Sequence, residues 1–157
     1  MATVTARAVP EGSLLAAFGG PEDYRDCFTR DVPGAVSLAE FIERFYCSMA
    51  FRPERVVLGL LTGHSSGEDA RAVARGEKDR FGAWKLVERS DNQALLDSKG
   101  TNTASWFMVE PRDNGTRLYF GSWVGNLDRS GWKAMLRPHV WYSRFLLGGV
   151  SFQVLGS

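Results

Sequence analysis

The sequence predicts an α+β fold in which an antiparallel sheet wraps around a long C-terminal helix. Three observations carry that expectation. From Arg80 onward, apolar residues recur at period two in four short runs separated by polar turns, a spacing that only antiparallel neighbours can share. Ahead of them, Leu38, Phe41, Ile42, Phe45 and Met49 recur at helical intervals. Behind them, the apolar-rich segment Pro138-His139-Val140-Trp141-Tyr142-Ser143-Arg144-Phe145-Leu146-Leu147 stops at Gly148-Gly149, as a closing helix does.

Residues 1–21 are rich in Ala, Gly and Pro and are expected as a loosely held arm with one helical turn around Leu14 to Phe18, ahead of a single domain over residues 22–157. In Tyr24 to Asp31, the residues Tyr24, Asp26, Phe28 and Arg30 alternate with Arg25, Cys27 and Thr29, a strand ended by Pro33-Gly34. Ser37 with Glu40 forms a capping box for the helix that carries Leu38, Phe41 and Phe45. Pro53 fits a first helical turn, with Val56, Val57, Leu60 and Leu61 continuing a second short helix to Gly63, a run also short enough for a strand, and a surface helix is expected over Ser66 to Arg75.

The four strands are Phe81 to Glu88, Ala94 to Lys99, Thr103 to Glu110 and Thr116 to Val124. Asn114-Gly115 reads as a two-residue hairpin turn with positive φ at both positions, pairing Val109 with Phe120, Phe107 with Ser122 and Trp106 with Trp123. A slip by an even number of residues changes these partners and keeps the faces. Phe107, Val109, Leu118, Phe120 and Ser122 therefore look inward. Trp106, Met108, Glu110, Arg117, Tyr119 and Trp123 share the other face, which Glu110 and Arg117 bring to water at one end at least.

Composition narrows the function classes. At 157 residues one domain can bury roughly 70% of its unfolded surface, so a core without staples is feasible. A net charge of +1 gives no footprint for nucleic acid or an anionic membrane. Cys27 and Cys47 lie in apolar patterns, as buried free thiols do, although a single disulfide remains an alternative. The N-terminus lacks the charge and apolar run of a signal peptide, and no apolar run reaches 18 residues, so a cytoplasmic protein without a membrane span is expected.

Several chemistries can be argued down. Gly63-His64-Ser65-Ser66-Gly67 matches the nucleophile elbow of hydrolases, with Asp97 or Asp128 and His139 following in chain order. That elbow needs a parallel sheet with helical crossovers, and residues 80 to 124 read as a meander. His64 and His139 are the only histidines and have no metal-ligand spacing, and no Gly-rich phosphate loop occurs, so neither metal nor cofactor is expected. Asp91, Asp97, Asp113 and Asp128 fall at turns, strand edges or loops, where Asp serves backbone geometry. The aromatic residues point elsewhere. Trp84, Phe107 and Phe120 on strands can line an apolar ligand pocket, with Ser122, His139, Tyr142 or Arg144 giving one polar end, the alternative being a packed core. His139 and Tyr142, three apart, share a helix face.

The segments Tyr24-Arg25-Asp26-Cys27-Phe28, Phe51-Arg52-Pro53-Glu54-Arg55, Asp79-Arg80-Phe81-Gly82-Ala83-Trp84, Ser105-Trp106-Phe107-Met108-Val109-Glu110-Pro111, Gly115-Thr116-Arg117-Leu118-Tyr119-Phe120-Gly121-Ser122 and His139-Val140-Trp141-Tyr142-Ser143-Arg144 resemble a bacterial family of uncharacterised domains. The element order is similar to the helix-grip, or START-like, superfamily of polyketide cyclases and lipid-transfer domains. The resemblance spans roughly residues 22 to 148 and implies a fold and a cavity, with no catalytic residue to carry over. The expected function is binding of a hydrophobic or amphipathic small molecule between the sheet and the closing helix. The alternatives are a cyclase- or hydrolase-like enzyme using His139 or Tyr142 as acid or base, and a homodimeric structural or interaction module with Trp123, Trp132 or Trp141 in an exposed patch.

Overall fold

The structure is a computed structural model that describes residues 3–47, 75, 80–81, 84–98, 102–125, 140, 143–144 and 147–148. Among the described residues the elements follow in chain order as β1 (Thr5–Ala6), α1 (Leu14–Ala17), β2 (Tyr24–Pro33), α2 (Leu38–Cys47), β3 (Arg80–Phe81), β4 (Trp84–Arg89), β5 (Gln93–Ser98), β6 (Thr103–Arg112) and β7 (Gly115–Val124). The strands form one sheet in the order β1-β2-β7-β6-β5-β4-β3. Every neighbouring pair is antiparallel. The α+β class and the antiparallel meander are thus as expected. Both expected helices between Pro53 and Arg75 lie outside the described residues, Arg75 apart.

The hairpin register differs from the expectation. Arg112 pairs with Gly115, which leaves Asp113-Asn114 as the turn and sets Phe107 opposite Phe120, Val109 opposite Leu118 and Trp106 opposite Gly121. Among the described non-glycine residues, positive φ occurs at Asn102 and not at Asn114. Gly115 answers a different demand: a Cβ there would lie 2.1 Å from the Val32 carbonyl oxygen of β2. Glycine is used for close backbone approach across the sheet. The slip is even, so the two faces are as read from the sequence.

The inner face is covered by α2. Ser37 Oγ accepts the Glu40 N–H at 3.1 Å. Instead of completing the capping box, the Glu40 carboxylate receives Arg44 Nε one turn on, at 3.0 Å. Phe41, Ile42 and Phe45 are fully buried against Phe28, Phe107, Val109, Leu118 and Phe120. The Phe45 ring stacks on Phe120 at 4.7 Å and meets Phe107 edge-on at 5.1 Å. Thr116 ties the β2–α2 connection to the sheet, its hydroxyl donating to the Gly34 carbonyl and accepting the Val36 N–H.

The outer face is also covered. Trp106, Met108 and Tyr119 are buried together with Leu15, Cys27, Leu95 and Ala104, and Val9, Leu14 and Phe18 pack around them. The N-terminal segment thus packs on this face through Leu14, Leu15 and Phe18. Ser13 caps α1 by accepting the Ala16 N–H at 3.2 Å, and β1 pairs with β2. Gln93 Oε1 receives both the Leu14 N–H and Trp106 Nε1–H at 3.0 Å. The Arg25 guanidinium donates to the carbonyls of Leu15, Phe18, Gly20 and Asp23, holding the segment down. Trp123, one of three tryptophans that the interaction-module alternative offered for an exposed patch, packs edge-on against Phe18 at 4.8 Å and donates to Asp23 Oδ2. At one end of this face Glu110 pairs with Arg112 and Arg117 with Asp31.

A long C-terminal helix is not shown. Val140, Ser143, Arg144, Leu147 and Gly148 are helical, at intervals that put them on one side. Leu147 is fully buried in the inner core, and its carbonyl accepts Arg30 Nη1 at 3.2 Å. Arg144 sits 5.7 Å from the Phe28 ring centroid and donates to the Val4 carbonyl. No helix among the described residues is long and apolar enough to cross a membrane.

Candidate functional site

The inner face changes character along the strands. Where α2 lies, Phe28, Phe120 and Phe107 form a cross-strand row. The next row, one pleat away, is Asp26, Ser122 and Ser105, followed by Tyr24, Val124 and Thr103. Side chains two apart on a strand share a face, so carboxylate, hydroxyls and phenol lie on the same surface as the phenylalanines. Asp26 organises this row. Its Oδ2 accepts the Tyr24 hydroxyl at 2.9 Å and its Oδ1 the Ser122 backbone N–H at 3.0 Å.

Burial and, after it, the nearby Asp26 charge and hydrogen bond push the Tyr24 phenol above its ordinary value. It stays protonated and acts as a hydrogen-bond donor, a poor candidate for a general base. On the opposite face, burial and then Asp26 push the Cys27 thiol up to about 12, and Cys27 is a buried free cysteine. Such a thiol is inert as a nucleophile. Among the described residues, no group of three or more His, Cys, Asp or Glu could hold a metal ion. The row is therefore suited to orienting a polar group, with the phenylalanine row beside it for apolar contact.

Two open depressions lie elsewhere. One of about 730 Å³ surrounds the β6–β7 turn and the Asp31–Arg117 pair. Another of about 400 Å³ follows the β1–β2 edge past Arg7 and Thr29. Both are lined largely by polar and charged surface, unlike an apolar ligand pocket, and neither includes Ser122 or Asp26.

No family model and no curated protein matches the sequence. Among solved structures, the chain is similar to the crystal structure of CalU16 from Micromonospora echinospora. The two share 9% sequence identity and a TM-score of 0.37, over 98% of this chain and 86% of that one. At that level of similarity the functional reading rests on the residues of this chain.

Of the residues expected to bind ligand, Phe107, Phe120 and Ser122 share the inner face. Phe107 and Phe120 are 0% and 4% exposed and packed against α2, so they form the wall next to the polar row. Trp84 opens β4 opposite Phe81. His139 and Tyr142 lie outside the described residues, as do His64, Ser65, Trp132 and Trp141. The sequence reading overlooked Tyr24, Asp26 and Ser105. A signal for two of them was present: Tyr24 and Asp26 alternate in step with Phe28, and acidic or phenolic residues in phase with a core position are unusual unless partnered.

Proposed function

We propose that this chain is a helix-grip-type domain that binds a hydrophobic or amphipathic small molecule against the inner face of its sheet. The observation that carries the reading is the inner face itself, on which the Asp26, Ser122 and Ser105 row adjoins the phenylalanine row. Apolar burial at about 25 cal/mol per Å² would drive association. The polar row would fix the orientation, as a few converging polar groups do in small-molecule sites. Trp84, His139 and Tyr142 stand in this reading as further contacts on the strength of the sequence pattern.

Native mass spectrometry of protein purified from its own host tests the proposal. The expected result is a retained small molecule that is released on denaturation. A clean unliganded mass, together with no thermal stabilisation by fatty alcohols or aromatic probes, would overturn it.

A further inference from the structure

Ser122 is 3% exposed, yet its hydroxyl has no hydrogen-bond partner among the described residues. It is the backbone N–H of Ser122, not the hydroxyl, that donates to Asp26. The great majority of buried polar groups are hydrogen-bonded, so an orphaned hydroxyl needs an explanation. Ser105 stands directly opposite it on β6, and the two hydroxyls do not bond to each other. Directly opposed side chains on one face lie about 5 Å apart at Cβ, close enough for one oxygen standing over the pair to reach both hydroxyls. Ser143, on the helical segment whose Leu147 packs on this face, is also 3% exposed, and its hydroxyl likewise has no partner among the described residues. Unmatched hydroxyls thus occur on the sheet and on the helical segment over it.

Resting on the binding reading above, we infer that the ligand presents a hydroxyl, alcoholic or phenolic, to the Ser122–Ser105 pair. Each serine offers one donor and two acceptor positions. A guest hydroxyl accepts from one serine and donates to the other, satisfying both. An aryl methyl ether oxygen only accepts, is weakened by conjugation with its ring and is crowded by its methyl group, so it matches one serine at most, and a hydrocarbon matches neither. Discrimination follows from leaving a buried hydroxyl unmatched when the guest lacks its proton.

The test compares 1-naphthol, 1-methoxynaphthalene and naphthalene by fluorescence titration on the wild-type chain and on Ser122→Ala. The expected result is that naphthol binds the wild type about tenfold tighter than the ether, the effect of one hydrogen bond. In Ser122→Ala that advantage should fall to about threefold or less. Equal binding of naphthol and ether to the wild type overturns the hydroxyl inference and leaves the pocket standing, and so does an advantage that survives in Ser122→Ala, as when an ordered water satisfies the serine. Failure of all three probes to bind overturns the pocket and the inference together. Ser122→Cys, nearly isosteric with a weaker donor, replaces the alanine variant if that chain does not fold and should show a reduced advantage.

Discussion

Gly121 sets how closely the N-terminal segment approaches the sheet. A Cβ at this position would fall 2.6 Å from Leu15 Cδ2, 2.7 Å from the Asp26 carbonyl oxygen and 3.0 Å from the Trp106 ring. The leucine can move, but the carbonyl belongs to β2 and has nowhere to go. Gly121→Ala should therefore destabilise the fold by about 1–3 kcal/mol, as overpacking does. In urea the midpoint should drop at unchanged slope, and an unchanged midpoint would refute the tight fit. Tyr24 and Cys27 make a second prediction. Both are acids whose neutral form the fold prefers, so the native chain keeps protons that the unfolded chain releases. Their contribution is whole below the ordinary thiol value of 9.0 and is lost as the pH rises through about 12. Tyr24 joins the loss above its ordinary value of 10.0. Cys27→Ala should flatten the alkaline fall in the urea midpoint, and an identical slope in that variant would contradict the thiol's share.

At the scale of elements, α2 holds the inner core through Phe45, which touches Phe41, Phe107 and Phe120. Phe45→Ala should cost about 3–5 kcal/mol by urea unfolding, the range for emptying a packed aromatic site. A loss below about 1 kcal/mol would mean that the core does not depend on this helix. This element was legible because its signals are local: a serine cap, a 3.6-residue apolar period and a charged outer side. The same holds for β2 and for β5 to β7, whose alternation survives any even register slip. The hairpin partners were not legible, because Gly115 is required by the Val32 carbonyl on another strand. The covered outer face was hidden for the same kind of reason. Leu14, Leu15 and Phe18 form too short an apolar run to suggest a core element, and Arg25 and Gln93, which hold them down, come later in the chain. In the candidate site Ser122 could be placed on the inner face and Asp26 in phase with Phe28, whereas their meeting became visible only through the cross-strand pairing that sets Asp26 beside Ser122.

For the whole molecule, these contacts make a sheet covered on both sides by different parts of the chain. The inner face, with its polar row, lies under α2 and the C-terminal helical residues. The outer face lies under residues that enter before the first long strand. That division predicts separable effects. Removing residues 1–21 takes Leu15 and Phe18 off Trp106, Met108 and Tyr119, which are 0%, 8% and 7% exposed in the intact chain. It also deletes β1 and leaves β2 as a long sheet edge. An apolar patch beside an open edge favours association between chains. The shortened chain should therefore keep its far-ultraviolet circular dichroism and its probe binding at the inner face, yet show a larger mass by light scattering. Arg25→Ala, which frees the four carbonyls but keeps the apolar cover, should fall between the two, with a lowered unfolding midpoint and little self-association. A shortened chain that stays monomeric with an unchanged midpoint would show that the outer face does not need its cover. Loss of probe binding together with retained secondary structure would show that the two faces are coupled through the single layer of strands between them.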